Sequence, residues 1–482
     1  MKVQTLAALL AATGLAGCAG QKVASVPAPV VAPAAAPSPA PASAIPVAKS
    51  AFAKPSALDF ALPDFPALTA ADYQAGIEEG IAIARGEVAA IAGNPDAPTF
   101  ANTIEALEKS GQVLDRASRA FSTRHGADTS DALDAVETAT APQLAAWDSA
   151  FYQNAALFGR VEALYDARAT LPLSPEQARV LELYHQDFVL HGAQLSDSDK
   201  AKVAQIDQRL ATLETAFGQK VTNATRDGAV VVHDKAQLAG LSPQQVAAAA
   251  EAAKARGLAG QWVLSLQNTT VQPLADDLSS RAMREAVFKA GWTRATRGDA
   301  NDTRKDLAEM AALRAQKAGI MGFANFAALK LSAEMAGTPD RAIAFMDSVA
   351  GPAAKGVARD ARDINAAIRA RGERFSAAPW DWKRYAEDVR AKRYAFDAGQ
   401  VKPYFEVWRV LEDGVFYAAG QLYGLSFHRR EDLKGWRPEM RAYEVREEDG
   451  RVLGLFLIDP FQRDSKQGGA WMDTLVPGSP LF

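Results

Sequence analysis

Thiols and imidazoles are scarce in this chain. Its 482 residues hold one cysteine, Cys18, and five histidines: His125, His185, His191, His233 and His428. A lone cysteine excludes an internal disulfide, so the folded part must rest on its core. No histidine falls in a His-Glu-x-x-His array, which would set two metal ligands one helical turn apart around a carboxylate base. His185 and His191 stand six apart, off any shared helical face, and do not read as a second metal site. A Gly-rich phosphate loop and a defensible Ser-His-Asp spacing are also missing. Charge of one sign is not in excess: the net is -4, which does not point to a nucleic-acid partner.

What is present describes a large globular body. Hydrophobic residues make up 48% and charged residues 23% of the chain, with 21 Phe and 8 Trp to fill a core. The position of Cys18 gives it meaning. Lys2 supplies a positive start, and Leu6 to Leu15 is a small, apolar run too short to cross a bilayer. Leu15-Ala16-Gly17-Cys18 follows, and it resembles a bacterial lipoprotein signal with cleavage before Cys18 and acylation of its thiol. Residues 1–17 are therefore expected to be a signal peptide. With Ala19 after the cysteine, the resemblance implies an exported protein anchored in the outer membrane and facing the periplasm. Several acyl chains, at about 0.8 kcal/mol per buried methylene, would hold it there.

Residues 18–55 read as an acylated cysteine followed by an Ala/Pro-rich tether. Pro27, Pro29, Pro33, Pro37, Pro39, Pro41, Pro46 and Pro55 remove amide donors and stop helix or sheet from propagating. From residue 56 the pattern turns helical. Thr69 predicts the cap of a helix through Tyr73, Ile77, Ile81 and Ile83, which Asn94 to Pro98 ends. Thr99 opens a second helix, ending near Gly111. Ser196 opens a long one with Val203, Ile206, Leu210, Leu213 and Phe217 on one face. Ser242-Pro243 starts another, and Asn301-Asp302 is expected to cap one more. Strands are expected at 229–232, 262–266, 441–446, 452–458 and 470–476, with Asp449-Gly450 as a hairpin turn. The fold class is mainly α, with a small sheet towards the C-terminal end.

Seven segments in order carry a resemblance. They are Asn94-Pro95-x-Ala97-Pro98-Thr99-Phe100-x-Asn102-Thr103-Ile104, Gln267-Asn268-Thr269-Thr270, Arg297-Gly298-Asp299-Ala300-Asn301-Asp302-Thr303-Arg304, Pro379-Trp380-Asp381-Trp382, Lys402-Pro403-Tyr404-Phe405-Glu406, Asp413-Gly414-Val415-Phe416-Tyr417 and Gly468-Gly469-Ala470-Trp471-Met472. In these the chain resembles the thimet oligopeptidase family of zinc metallopeptidases, in its bacterial peptidyl-dipeptidase branch.

The resemblance implies a multi-helical, two-lobed channel fold that admits short unfolded peptides. It also implies one zinc ion held by His-Glu-x-x-His and a downstream glutamate, and release of dipeptides from free C-termini. In the family that zinc motif lies some tens of residues past the Gly-Gly-Ala-Trp-Met segment, and this sequence holds none. Residues 56–482 are thus expected to be the N-terminal and partial catalytic part of such an enzyme, monomeric and inactive alone. No catalytic residue and no metal ligand is assigned. Gly468, Gly469, Ala470 and Trp471 match the family strand whose edge pairs with substrate, and are the substrate-binding candidates. A Gly-containing edge strand with a buried Trp is the plain alternative. Trp380 and Tyr404 read as core aromatics before channel aromatics. The competing function is a non-catalytic peptide- or protein-binding lipoprotein that keeps the channel lobe.

Overall fold

In the computed structural model, which describes residues 45–395, 398–479 and 481, the chain is built on helices whose ends are set by side-chain caps. Helix α1, Ala70–Ala92, starts at Thr69. The Thr69 hydroxyl accepts from the Asp72 amide while the Asp72 carboxylate accepts from the Thr69 amide, satisfying two otherwise orphaned donors. A π-turn, Ala101–Glu105, leads into α2, Ala106–Lys109, and then α3, Gln112–Ala127, begins after Gly111 at φ +69°. The next four helices are α4, Asp131–Tyr152; α5, Ala155–Ala167; α6, Pro175–Leu190; and α7, Asp197–Asp227. They follow Ser130, Asn154, Ser174 and Ser196, each of which caps its helix through a side-chain oxygen.

These helices enclose two cores. In one, Tyr73, Ile77 and Ile81 of α1 meet Val113, Ala117 and Phe121 of α3 and Leu133 and Val136 of α4. In the other, Val88 of α1 joins Leu157, Phe158 and Val161 of α5 and Leu181, Tyr184 and Phe188 of α6. Glycine permits the closest approach: a Cβ on Gly80 would lie 2.6 Å from the Leu114 backbone, so α1 and α3 touch there. His185 stacks on Tyr165 at 3.8 Å and His191 on Tyr152 at 4.0 Å, so both rings serve packing.

A small lobe follows. Strand β1, Val230–Val232, pairs antiparallel with β2, Trp262–Leu264, and α8, Pro243–Ala255, spans the connection. Helices α9, Asn268–Asp277, and α10, Arg281–Trp292, complete its core around Val232, Leu264, Leu274 and Leu278. Helix α11, Arg304–Ile320, returns to pack on α7, with Met310 against Ile206, Leu210 and Leu213. Its N-cap is Thr303, and Asp302 accepts from the Arg304 amide instead of taking the cap position expected of Asn301-Asp302. Helices α12, Phe326–Leu331; α13, Pro339–Ala370; and α14, Trp382–Tyr394, come next. A second π-segment, Val410–Phe416, runs into α15, Tyr417–Tyr423.

The larger sheet has the order β3-β4-β5, all antiparallel: Ser426–Arg429, Arg441–Arg446 and Val452–Ile458. The β4–β5 hairpin has the two strands read from the sequence, and Gly450 takes φ +82° in its turn. The strand expected at 470–476 is absent from the structure, where those residues are irregular. A strand needs a ladder partner, and the two-strand and three-strand sheets offer it none.

Residues 45–55, read from the sequence as the end of the tether, pack on the helical body. Phe52 is 5% exposed and lies against Tyr73, and the Lys49 and Ser50 amides donate to the Glu79 carboxylate. Arg116 of α3 donates to the Phe52 carbonyl. One aromatic anchor and these hydrogen bonds outweigh the local proline signal. Cys18 and the signal lie outside the described residues. Among the described residues no helix is long and apolar enough to cross a membrane.

Candidate functional site

The substrate-binding candidates continue from a tightly held stretch, Asp459 to Gln467. Asp459, at the end of β5, accepts from Trp436 Nε1 at 3.0 Å and pairs with Arg463 and with Lys466. Arg463 then reaches the C-terminal end of α3, where its Nη2 donates to the Ala127 carbonyl at 2.7 Å. The Thr129 amide donates to the Ser465 carbonyl at 2.8 Å, and the Gln467 amide donates to the Gly126 carbonyl at 2.9 Å. The small lobe grips the other side: Gln267 donates to the Arg463 carbonyl and Arg256 pairs with Asp464. Three distant parts of the chain therefore meet on five residues.

Asp128 is the electrostatic centre of this junction. It is 4% exposed. Its Oδ1 accepts from Ser465 Oγ at 2.6 Å and from Arg437 Nη2 at 2.7 Å, and Arg463 Nε lies 3.5 Å away. Its Oδ2 faces Arg124 Nη1 at 2.9 Å. Burial pushes against ionisation, but the hydrogen bonds from Arg437 and Ser465, with the nearby guanidinium charges, hold the carboxyl below its ordinary range. Asp459 behaves alike: burial opposes, and Arg463 and Trp436 prevail.

Beside it lies a water-sized cavity of about 30 Å³, lined by His125, Asp134, Glu137, Gln219, Ser465 and Gln467 among others. His125 Nε2 is 2.9 Å from Asp134 Oδ1, a hydrogen-bond contact, and 3.6 Å from Glu137 Oε2. Among the described residues no three His, Cys, Asp or Glu side chains converge as metal ligands. His428 meets Ser426, and His233 is exposed. The described residues do not form a site that fits a zinc ion.

Gly468, Gly469, Ala470 and Trp471 follow the clamp as an exposed segment without strand pairing; Gly469 has φ +105°. The Trp471 ring lies close to Gly126, where a Cβ would come within 3.8 Å of it. The aromatic candidates part ways. Trp380 is half-buried beside Phe288, whereas Tyr404 is 72% exposed and does not pack in a core. A second, larger cleft of about 310 Å³ opens between the π-segment and the sheet, lined by Glu412, Phe416, Phe427, Arg429 and Tyr443. The Tyr443 hydroxyl and Arg441 both donate to Glu412, and hold its carboxyl below the ordinary range.

Much of the recurrent sequence pattern is scaffold. Arg160 bonds the Asn94 and Asp96 carbonyls and Asn102 Oδ1, fixing the break between α1 and α2. Asp381 of Pro379-Trp380-Asp381-Trp382 is fully buried against Arg281 and Arg284. Asp128, Arg463 and Ser465 escaped sequence reasoning.

Comparison with known proteins agrees with this pattern. Residues 275–481 match the model for peptidase family M3. The chain is 42% identical over 426 residues to dipeptidyl carboxypeptidase of Escherichia coli strain K12, covering 88% of this chain and 63% of that protein. The corresponding protein of Salmonella typhimurium is 40% identical over the same shares. Oligopeptidase A of Escherichia coli is 28% identical, over 78% of this chain and 56% of the relative. The chain thus spans somewhat under two thirds of the length of these relatives.

Proposed function

We propose that this chain forms the peptide-guiding part of a dipeptidyl carboxypeptidase, a zinc hydrolase that releases dipeptides from the free C-termini of short unfolded peptides. The observation that carries the reading is the 42% identity to the Escherichia coli enzyme, held over 88% of this chain. Zinc, when bound, would supply the activated water and the Lewis acid for hydrolysis. Its ligands are not among these residues, so the 482-residue polypeptide binds peptides without cutting them. The exposed backbone of Gly468, Gly469, Ala470 and Trp471 makes the contact, because small residues let a peptide backbone approach closely. Exposed apolar side chains on α13, including Ile343, Phe345, Met346 and Val349, fit a surface that a catalytic part would cover.

The test is direct. The purified protein, given one equivalent of zinc and a peptide with a free C-terminus, should release no dipeptide and retain no stoichiometric metal. Dipeptide release would overturn the statement that it binds without cutting. A chimera that adds the C-terminal third of the Escherichia coli enzyme should gain zinc-dependent release; a folded but inert chimera would count against the family reading. We also propose that the protein works as a monomer outside the cytoplasm, lipid-anchored through Cys18 in the outer membrane. The support is Leu15-Ala16-Gly17-Cys18. Cys18→Ala should move it to the soluble fraction, and unchanged membrane fractionation would remove the anchor.

A further inference from the structure

Helix α3 holds both ends of the peptide-contact segment. At the near end the Gln467 amide donates to the Gly126 carbonyl and Ser465 donates to Asp128. At the far end Arg119 Nη1 donates to the Thr474 carbonyl at 3.2 Å, and Leu475 packs on the core between α1, α3 and α4. The two pinned positions on the helix, Arg119 and Gly126, are about 10 Å apart along its axis at 1.5 Å per residue. The seven steps from residue 467 to residue 474 could extend about 23 Å at 3.3 Å per residue. The surplus length lets the backbone bow outward, while the Trp471 ring folds back towards Gly126 of α3. Gly468 to Met472 are exposed accordingly.

We propose that Asp128 is a positioning residue for this bow, setting Gly468–Trp471 in register for a peptide backbone; the proposal rests on the function given above. The argument is geometric. The segment has no ladder partner of its own, so its register is inherited from its anchors. Asp128 is where the near anchor is tied: it accepts from Ser465, faces Arg463, and draws in Arg437 from the loop before β4. Ser465 lies between Arg463 and Lys466, whose side chains return to Asp459, and Gln467 follows directly. Releasing Asp128 therefore loosens the bow at its entry and leaves Arg119 holding the exit. Arg119 itself is steadied by Asp115 at 2.9 Å, one turn before it on α3.

Hydrogen exchange followed by mass spectrometry on the whole protein tests this, with and without an unhydrolysed short peptide bearing a free C-terminus. Asp128→Asn keeps the size and loses the charge. Ser465→Ala removes one donor and leaves the ion pairs. Both should speed exchange at 465–474 about tenfold or more, the worth of one hydrogen bond to a charged group. Amides of α1 and α5 should stay at wild-type rates, and peptide affinity should fall by a similar factor. Arg119→Lys should loosen 472–475 instead. Wild-type exchange and affinity in both Asp128→Asn and Ser465→Ala would overturn the proposal. If Asp128→Asn fails to fold, Ser465→Ala decides. If peptide never protects 468–471 in the wild-type protein, the function reading fails instead, and the exchange rates without peptide still decide whether Asp128 sets the segment.

Discussion

Arg284 donates through Nη2 to Asp381 Oδ1 at 3.0 Å, and both side chains are withdrawn from solvent, at 2% and 0% exposure. Arg281 adds a second pair to the same carboxylate at 2.9 Å, and the Ala378 amide a third donor. The cluster joins α10 to the start of α14. Removing one partner strands the other charge, which costs about 3–5 kcal/mol in buried pairs. Asp381→Ala should lower the unfolding free energy by that amount in a urea titration. A loss near 0.5 kcal/mol, the scale of an exposed pair, would show that water reaches the cluster.

Stability should peak on the acid side of neutrality. Burial pushes the Asp148 carboxyl up to about 7 and Asp187 up to about 6, from an unfolded value near 3.8. A raised carboxyl contributes stability that is complete below about 3.8 and lost as pH rises through 6 to 7. Asp128, Asp381 and Asp459 are lowered, so their contribution is present above about 3.8 and lost as pH falls further. The melting midpoint measured from pH 3 to 9 should therefore be highest between about 4 and 6. Asp148→Asn should flatten the alkaline limb and stabilise the protein at pH 8 by roughly 1–3 kcal/mol. A variant that melts like the wild type across that limb would rule out Asp148 as its source.

Phe52 should behave as a core residue despite its proline-rich surroundings. Its ring lies so close to Gly76 that a Cβ there would come within 2.4 Å of Cδ2. Phe52→Ala should cost about 3–5 kcal/mol. It should also expose 45–55 to limited proteolysis at a site protected in the wild type. Equal cleavage in both proteins would mean that the segment is undocked in solution.

Local pattern made the repeating elements legible. The period of Tyr73, Ile77 and Ile81 and the Thr69 cap mark α1, and Asp449-Gly450 between two strand-like segments marks the β4–β5 hairpin. Lone local signals misled where a long-range partner decides. Residues 470–476 have strand composition but find no neighbouring strand, and residues 45–55 have linker composition but find Tyr73 and Glu79. Tyr404 has core chemistry but lies exposed at the end of a short turn. The Asp128 junction is the extreme case, since its partners Arg437 and Ser465 stand 309 and 337 residues along the chain. No periodicity connects positions so far apart.

That separation also sets a timetable. At about 5–20 residues per second of synthesis, Ser465 follows Asp128 out of the ribosome by roughly 20–70 seconds. The α1–α3–α4 core can close well inside that interval, since helical packing of this kind takes far less than a second. Until the late segment with Arg437 and Arg463 arrives, Asp128 has, of its ion-pair partners among the described residues, Arg124, one turn back on its own helix, to balance its charge. The end of α3 thus waits as a half-built joint, and a segment made much later completes one of the first parts to fold.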